Sequence, residues 1–331
     1  MSVANQDAFS GKPKRASDGR WRQILLITIG AVALYVGVRR LPTGTNLSHM
    51  DFRASANSIE FCDPANPQFM PVVAVRSPVE MTLVSAAPMV AGHDTTLRLW
   101  LKTSSGKPVA PEDLLVVHTQ KLHLLIVDPT LADYQHVHPQ PGKNPGEWLF
   151  AFTPRRAGTY RVFADFTPVA TARGLYASAD LEVGKGPDLS VGRPLADAKG
   201  ASKLAAYEKT SALNYAYEDN GYRFELQPST EQIHAGKLVD LTFIVSRADG
   251  GIVPMQPVMG AYAHLVAFDV ARSGFAHLHP NETDLSRAPD PHQPKLTFKL
   301  TIPRAGRYVI WSQVNLGGSE RFAPFWFEVA P

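Results

Sequence analysis

Two stretches of seventeen residues hold the side chains of this chain best suited to chemistry. "HLLIVDPTLADYQHVHP" runs from His123 to Pro139, and "HLVAFDVARSGFAHLHP" from His264 to Pro280. Six of the seventeen positions are identical, and three of those six are histidines, so the imidazoles recur where the apolar residues around them differ. Neutral imidazole is the usual nitrogen ligand of Zn²⁺ and Cu²⁺, and three of them leave a coordination position open. Ligation needs deprotonated nitrogens, so affinity should fall as pH drops through the histidine range. The chemistry implied is metal binding, with copper mildly favoured over zinc because no thiolate accompanies the imidazoles.

Alternation along a strand decides whether three such rings can meet. His123, Leu125 and Val127 share a face of the first strand, and Tyr134, His136 and His138 share one of the second. A four-residue loop, Pro129–Ala132, pairs Asp128 with Asp133, Val127 with Tyr134, Leu125 with His136 and His123 with His138. Opposed Cβ atoms in a ladder lie about 4.5–5.5 Å apart, which brings the three imidazoles within reach of one ion. With Val270–Ser273 as the second loop, His264, His277 and His279 obey the same arithmetic. A loop of three or five residues would flip one strand and split each trio. His118 and Met259, five residues ahead of each first histidine, are candidate further ligands through nitrogen and thioether. Their parity requires a kink at "HTQK" and "MGAY".

The competing reading of the same histidines is structural. Leu124, Ile126 and Val137 make the opposite face of the hairpin apolar as well, so the imidazoles could be hydrogen-bonded near a core or an interface. Asp128 and Asp269 sit at the loop edges, where a carboxylate stabilises a turn. His49, His93, His234 and His292 have no partner spacing and read as solvated.

The elements that must position these rings are short strands. From about Ile59 the chain runs through apolar or alternating segments cut by Gly, Pro, Asn and Asp, such as "TTLRLWLK", "EWLFAFTP" and "TYRVFADF". The order then repeats: "VAGHDTTL" matches "HAGKLVDL", the hairpins match, and "PRRAGTY" matches "PRAGRY", at offsets of 144, 141 and 148 residues. A domain of roughly 110 residues has been duplicated. The fold class expected is all-β, two tandem immunoglobulin-like β-sandwiches following an N-terminal transmembrane helix. Tyr160 and Tyr308, in the two "AG-x-Tyr" turns, fit the buried tyrosine corner of such sandwiches. The expected boundaries are a cytoplasmic tail over 1–22, an anchor over 23–41, a spacer with a first strand over 42–74, sandwiches over 75–184 and 215–331, and between them a linker, 185–214, in which "LADAKGASKLAAYEK" has room for a short helix.

The N-terminal expectation rests on "ILLITIGAVALYVGV" (Ile24–Val38), fifteen residues without a charge between Arg22 and Arg39. It is slightly short for a spanning helix, with Trp21 and the flanking arginines available to extend it. A cleaved export signal competes, although no small-residue cleavage pattern follows promptly. Either way the bulk is expected outside the cytoplasm, in the periplasm or its equivalent, with the inner membrane as a partner through the helix. The net charge of +3, with basic residues scattered, excludes a nucleic-acid footprint. A single cysteine, Cys62, excludes an intrachain disulfide and reads as a buried free thiol.

The sandwich pattern, the "AG-x-Y" turns and the "HVHP" and "HLHP" motifs resemble the exported YtkA-like and CopC-like immunoglobulin-type domains associated with copper handling. The resemblance covers roughly 75–184 and 215–331. It implies copper ligation at His136 and His138. CopC-like proteins also use a free mature N-terminal histidine, and this chain shows none. The function expected is a membrane-anchored, exported protein that carries, buffers or senses copper or zinc, with one three-histidine site per sandwich. The two affinities should differ, since Leu125/Val266, Val127/Phe268 and Tyr134/Phe275 differ. The alternative is an adhesion or scaffold module whose hairpins bind a protein partner without metal. An enzyme is not expected: no carboxylate base is placed on the metal face, and a trinuclear copper centre needs more HxH pairs than two.

Overall fold

The computed structural model describes residues 18–40, 47–52, 68–74, 77–185 and 215–331. Cys62 and the short helix expected in "LADAKGASKLAAYEK" lie outside the described residues. The chain divides into two units, Met1–Gly44 and Thr45–Pro331.

In the first unit, the charge-free run folds as a helix, α1 (Asp18–Arg40). Its fifteen apolar residues rise only about 22 Å, against a hydrocarbon core of about 30 Å. Among the described residues no helix is long and apolar enough to cross a membrane. The anchor expected over 23–41 is therefore corrected to a helix that falls short of a span.

The second unit holds two β-sandwiches. The first is built from β1 (Val79–Ser85), β2 (Met89–Val90), β3 (Thr95–Thr103), β4 (Leu122–Val127), β5 (Tyr134–Val137), β6 (Gln140–Pro141), β7 (Glu147–Phe152), β8 (Gly158–Phe166) and β9 (Leu175–Gly184). Its sheets run β1-β3-β7-β6 and β2-β9-β8-β4-β5, with β2 parallel to β9. The second comprises β10 (Ala216–Asp219), β11 (Tyr222–Pro228), β12 (Ile233–His234), β13 (Leu238–Arg247), β14 (Met255–Gln256), β15 (Ala263–Asp269), β16 (Phe275–Leu278), β17 (Lys295–Thr301), β18 (Gly306–Leu316) and β19 (Ser319–Ala330). Its sheets run β10-β11-β13-β17 and β12-β19-β18-β15-β16, again with a parallel edge pair, β12 with β19. Both copies thus have the immunoglobulin-like order, an A-B-E sheet facing a G-F-C sheet. The tyrosine corners are present: Tyr160 receives the Arg156 N–H and donates to Asp133, and Tyr308 donates to the Arg304 carbonyl.

Alternation sorts each central strand between two cores. On β4, Leu122, Leu124 and Ile126 join Leu97, Leu99, Trp148 and Phe150 inside the first sandwich. On β15, Ala263, Leu265 and Ala267 join Phe243, Leu296 and Phe298 inside the second. The opposite faces also stay dry, because the sandwiches pack against each other there. Leu125, Val127, Tyr134 and Phe163 meet Val266, Phe268, Phe275, Val309 and Trp311 in a third core between them. This explains why both faces of each hairpin read as apolar.

Residues 68–74, expected within a spacer with a first strand, are part of this packing. Met70 bridges Phe275 through paired backbone hydrogen bonds, and Met70 and Val72 lie in the third core. The segment runs so close to the second hairpin that a Cβ on Gly274 would overlap the Met70 carbonyl.

Candidate metal centre

The hairpin registers are set by four-residue loops held by aspartates. Asp128 accepts from the backbone of Thr130, Ala132 and Asp133, and Asp269 accepts from Ser273. The ladders pair Val127 with Tyr134 and Leu125 with His136, then Phe268 with Phe275 and Val266 with His277. His138 and His279 lie just past the ends of β5 and β16. The outcome is two compact groups, His123/His136/His138 and His264/His277/His279, with one nitrogen of each residue within 4.8 Å of the others in its group.

Hydrogen bonding decides which nitrogens are free. A carbonyl oxygen can only accept, so His123 donates its Nε2–H to Val117 O at 3.0 Å, and His264 does the same to Val258 O at 3.0 Å. Each leaves its Nδ1 lone pair turned toward its group. His136 donates Nδ1–H to Gln313 Oε1 at 2.9 Å, and the amide is held in that orientation by donating to Glu320 at 2.9 Å. His277 donates Nδ1–H to Asp165 at 3.1 Å. Their Nε2 atoms are therefore lone pairs as well. In the first group His123 Nδ1 sits 3.1 Å from His136 Nε2 and 3.2 Å from His138 Nε2. In the second, His264 Nδ1, His277 Nε2 and His279 Nε2 are buried without a hydrogen-bond partner among the described residues.

The kinks needed at "HTQK" and "MGAY" are tight turns. His118 and Thr119 have φ of 49° and 69°, and Met259 and Gly260 have 51° and 77°. Val117 and Val258 close the turns on Gln120 and Ala261, and so present the carbonyls that fix the first histidines. His118 does not join the group of its own hairpin. Its ring centre is 6.5 Å from His123, and it stacks at 3.5 Å on His279 of the other sandwich. Met259 occupies the matching turn. His49, His93, His234 and His292 are exposed.

Burial keeps the cluster neutral. Desolvation lowers the pKa of His138 to about 4 and of His264 to about 3, and pushes His136, His277 and His279 well below the ordinary value. Proton competition for a metal therefore starts below the usual histidine range, which corrects the pH window read from unperturbed imidazoles. Burial also raises the Asp165 carboxyl, with His123 and His118 opposing that shift.

Sequence reasoning missed Asp165 and Gln313. Both were visible as polar residues in the strands "YRVFADF" and "YVIWSQV", on the same parity as Phe163 and Trp311. It also treated the two trios as separate, although their rings are neighbours across the interface.

The fold and site define a tandem-sandwich protein with a histidine centre between its halves. The chain belongs to the family described as "Domain of unknown function (DUF8832)", whose model matches residues 74–183 and 216–331, one copy per sandwich. No curated protein matches it. Among solved structures, it is similar to the PKD domain of an M14-like peptidase from Thermoplasmatales archaeon SCGC AB-540-F20, at 14% identity and TM-score 0.22, over 33% of this chain and 98% of that one. An ICAM-5 D1–D4 ectodomain fragment aligns at 13% identity and TM-score 0.24, over 75% of this chain and 53% of that one. The Yersinia pseudotuberculosis adhesin InvE aligns at 11% and 0.20, over 75% and 58%. At such scores these likenesses carry no functional argument.

Proposed function

We propose that this protein binds copper or zinc ions, one at His123/His136/His138 and one at His264/His277/His279, and that it carries, buffers or senses them. The observation behind the reading is the orientation of the lone pairs. Backbone carbonyls, an amide and a carboxylate take the N–H of four of the six rings, so that the free nitrogens converge. His123 Nδ1 and His136 Nε2 have no proton to share across 3.1 Å, and a cation between them removes the repulsion. The resemblance of the "HVHP" and "HLHP" hairpins to copper-handling sandwiches belongs to this reading. The alternative, hairpins offered to a protein partner, is weakened because that face is buried between the sandwiches. The reading is one of binding without a catalytic step.

An extracytoplasmic location is part of the proposal. The apolar run of α1 has the length of an export signal's hydrophobic stretch. A secretion-dependent reporter fused after the helix should be active, and an inactive reporter in a well-expressed fusion would remove this part.

The central test is stoichiometry. Chelator-stripped full-length protein should take up two Cu²⁺ or two Zn²⁺, and the double variant H136A/H138A should take up one. Unchanged uptake in the variant would overturn the assignment.

A further inference from the structure

The two groups lie closer than two independent sites would require. His136 and His277 rings, from opposite sandwiches, are 5.3 Å apart centre to centre, His123 and His277 are 5.6 Å apart, and His136 and His264 are 6.1 Å apart. The turns ahead of them touch as well, since a Cβ on Gly260 would lie 3.6 Å from Thr119 Cγ2. An ion bound at about 2.0–2.1 Å from nitrogen sits roughly 3.2 Å from the ring centre, so the two ions can be no more than about 12 Å apart.

Each group also depends on the other sandwich for its orientation. The acceptor of His136 is Gln313 on β18, and the acceptor of His277 is Asp165 on β8. Asp165 and Gln313 are equivalent positions, 148 residues apart, the same offset as the tyrosine corners. Each is the ladder partner of the first histidine of its own sandwich, Asp165 of His123 and Gln313 of His264. The exchange is therefore reciprocal in geometry but unequal in charge, with a carboxylate serving one group and a neutral amide the other.

We propose that the two groups are halves of a single dinuclear centre, each oriented from the opposite sandwich, and that the His264/His277/His279 half takes the first ion. This rests on the metal-binding reading above. A carboxylate on the Nδ1–H of His277 makes its Nε2 the stronger donor and adds a negative charge beside the ion, whereas Gln313 orients His136 without adding charge. Once the first dication is in place, its field weakens the second site across the short separation. Asp165 is a positioning residue here and not a ligand.

The test uses stripped full-length protein titrated with Cu²⁺, followed by electron paramagnetic resonance and by competition with a chelator of known affinity. The first equivalent should give one spectrum, absent in H279A and retained in H138A. The second should bring dipolar broadening and a half-field transition. D165N keeps the shape and can still accept from His277 but lacks the charge. It should weaken the first step by about 10–100-fold and shift the first spectrum toward that of the His123 half. Q313E, which perturbs the opposite half, should narrow the gap between the two steps. Two additive, uncoupled spectra would overturn the dinuclear centre, and an unchanged filling order in both D165N and Q313E would overturn the role of the charge. Absence of any copper uptake would instead remove the underlying metal-binding reading.

Discussion

His136 and Gln313 stand 177 residues apart in the chain and 2.9 Å apart across the interface between the sandwiches. The bond fixes the tautomer of a buried ligand candidate, and Gln313 is itself locked by Glu320. Removing the acceptor with Q313L leaves the His136 Nδ1–H buried and unpaired, or lets the ring change tautomer and withdraw its Nε2 lone pair. Zinc affinity at the His123 half should drop by about 10–100-fold, with the other half largely spared. A competition titration with a fluorescent zinc chelator reads both steps, and equal losses in both would show that Gln313 acts on packing rather than on His136.

Much of this was legible in the sequence, for reasons of periodicity. A period of two put His123, His136 and His138 on one face, and the 141-residue echo in the second hairpin repeated the arrangement. The four-residue loops were an assumption of the sequence reading, and the ladders of the two hairpins have that register. What alternation cannot convey is the partner of a face. Val127, Tyr134, Val266 and Phe268 read as the apolar surroundings of the two trios, and nothing in their spacing says that the two hairpins cover each other. The swap of His118 onto His279 was hidden for the same reason, because each turn was read against its own hairpin. Residues 68–74 fell in the stretch read as a spacer with a first strand, and nothing in it said that its backbone would bond to the second hairpin.

Metal-free protein should lose stability as pH falls below about 6.5, the ordinary histidine value. Unfolded imidazoles take protons there, while the folded ones resist, His138 until about 4 and His264 until about 3. In that window the unfolded state holds more protons, so stability rises with pH. Asp165, whose pKa is raised, contributes in the opposite direction but is one group against several. Urea midpoints at pH 7.5, 6 and 5 should fall in that order with an unchanged slope. A flat profile would mean that the imidazoles are not buried neutral.

Gly274→Ala tests the strap over the second hairpin. The added Cβ collides with the Met70 carbonyl, a backbone atom that cannot move without breaking the paired bonds to Phe275. The cost should be about 1–3 kcal/mol, the range for overpacking. Differential scanning calorimetry measures it. A variant as stable as the parent would show that the segment is not seated against Gly274.

The last prediction concerns cooperativity between the sandwiches. One histidine of each trio, His136 and His277, reaches across the interface for an orienting partner, and the third core joins the same two sheets. An ion bound only by the folded form stabilises it by about 2.7 kcal/mol at a hundredfold excess over its Kd. For both sandwiches unfolding as one unit that corresponds to a rise in Tm of roughly 5–10 °C per site. Because each half is oriented by the opposite sandwich, zinc should move one common transition upward and not split it. H279A should remove part of the shift while leaving a single transition. Two transitions, with only the second sandwich responding to metal, would mean that the interface does not transmit binding from one half to the other.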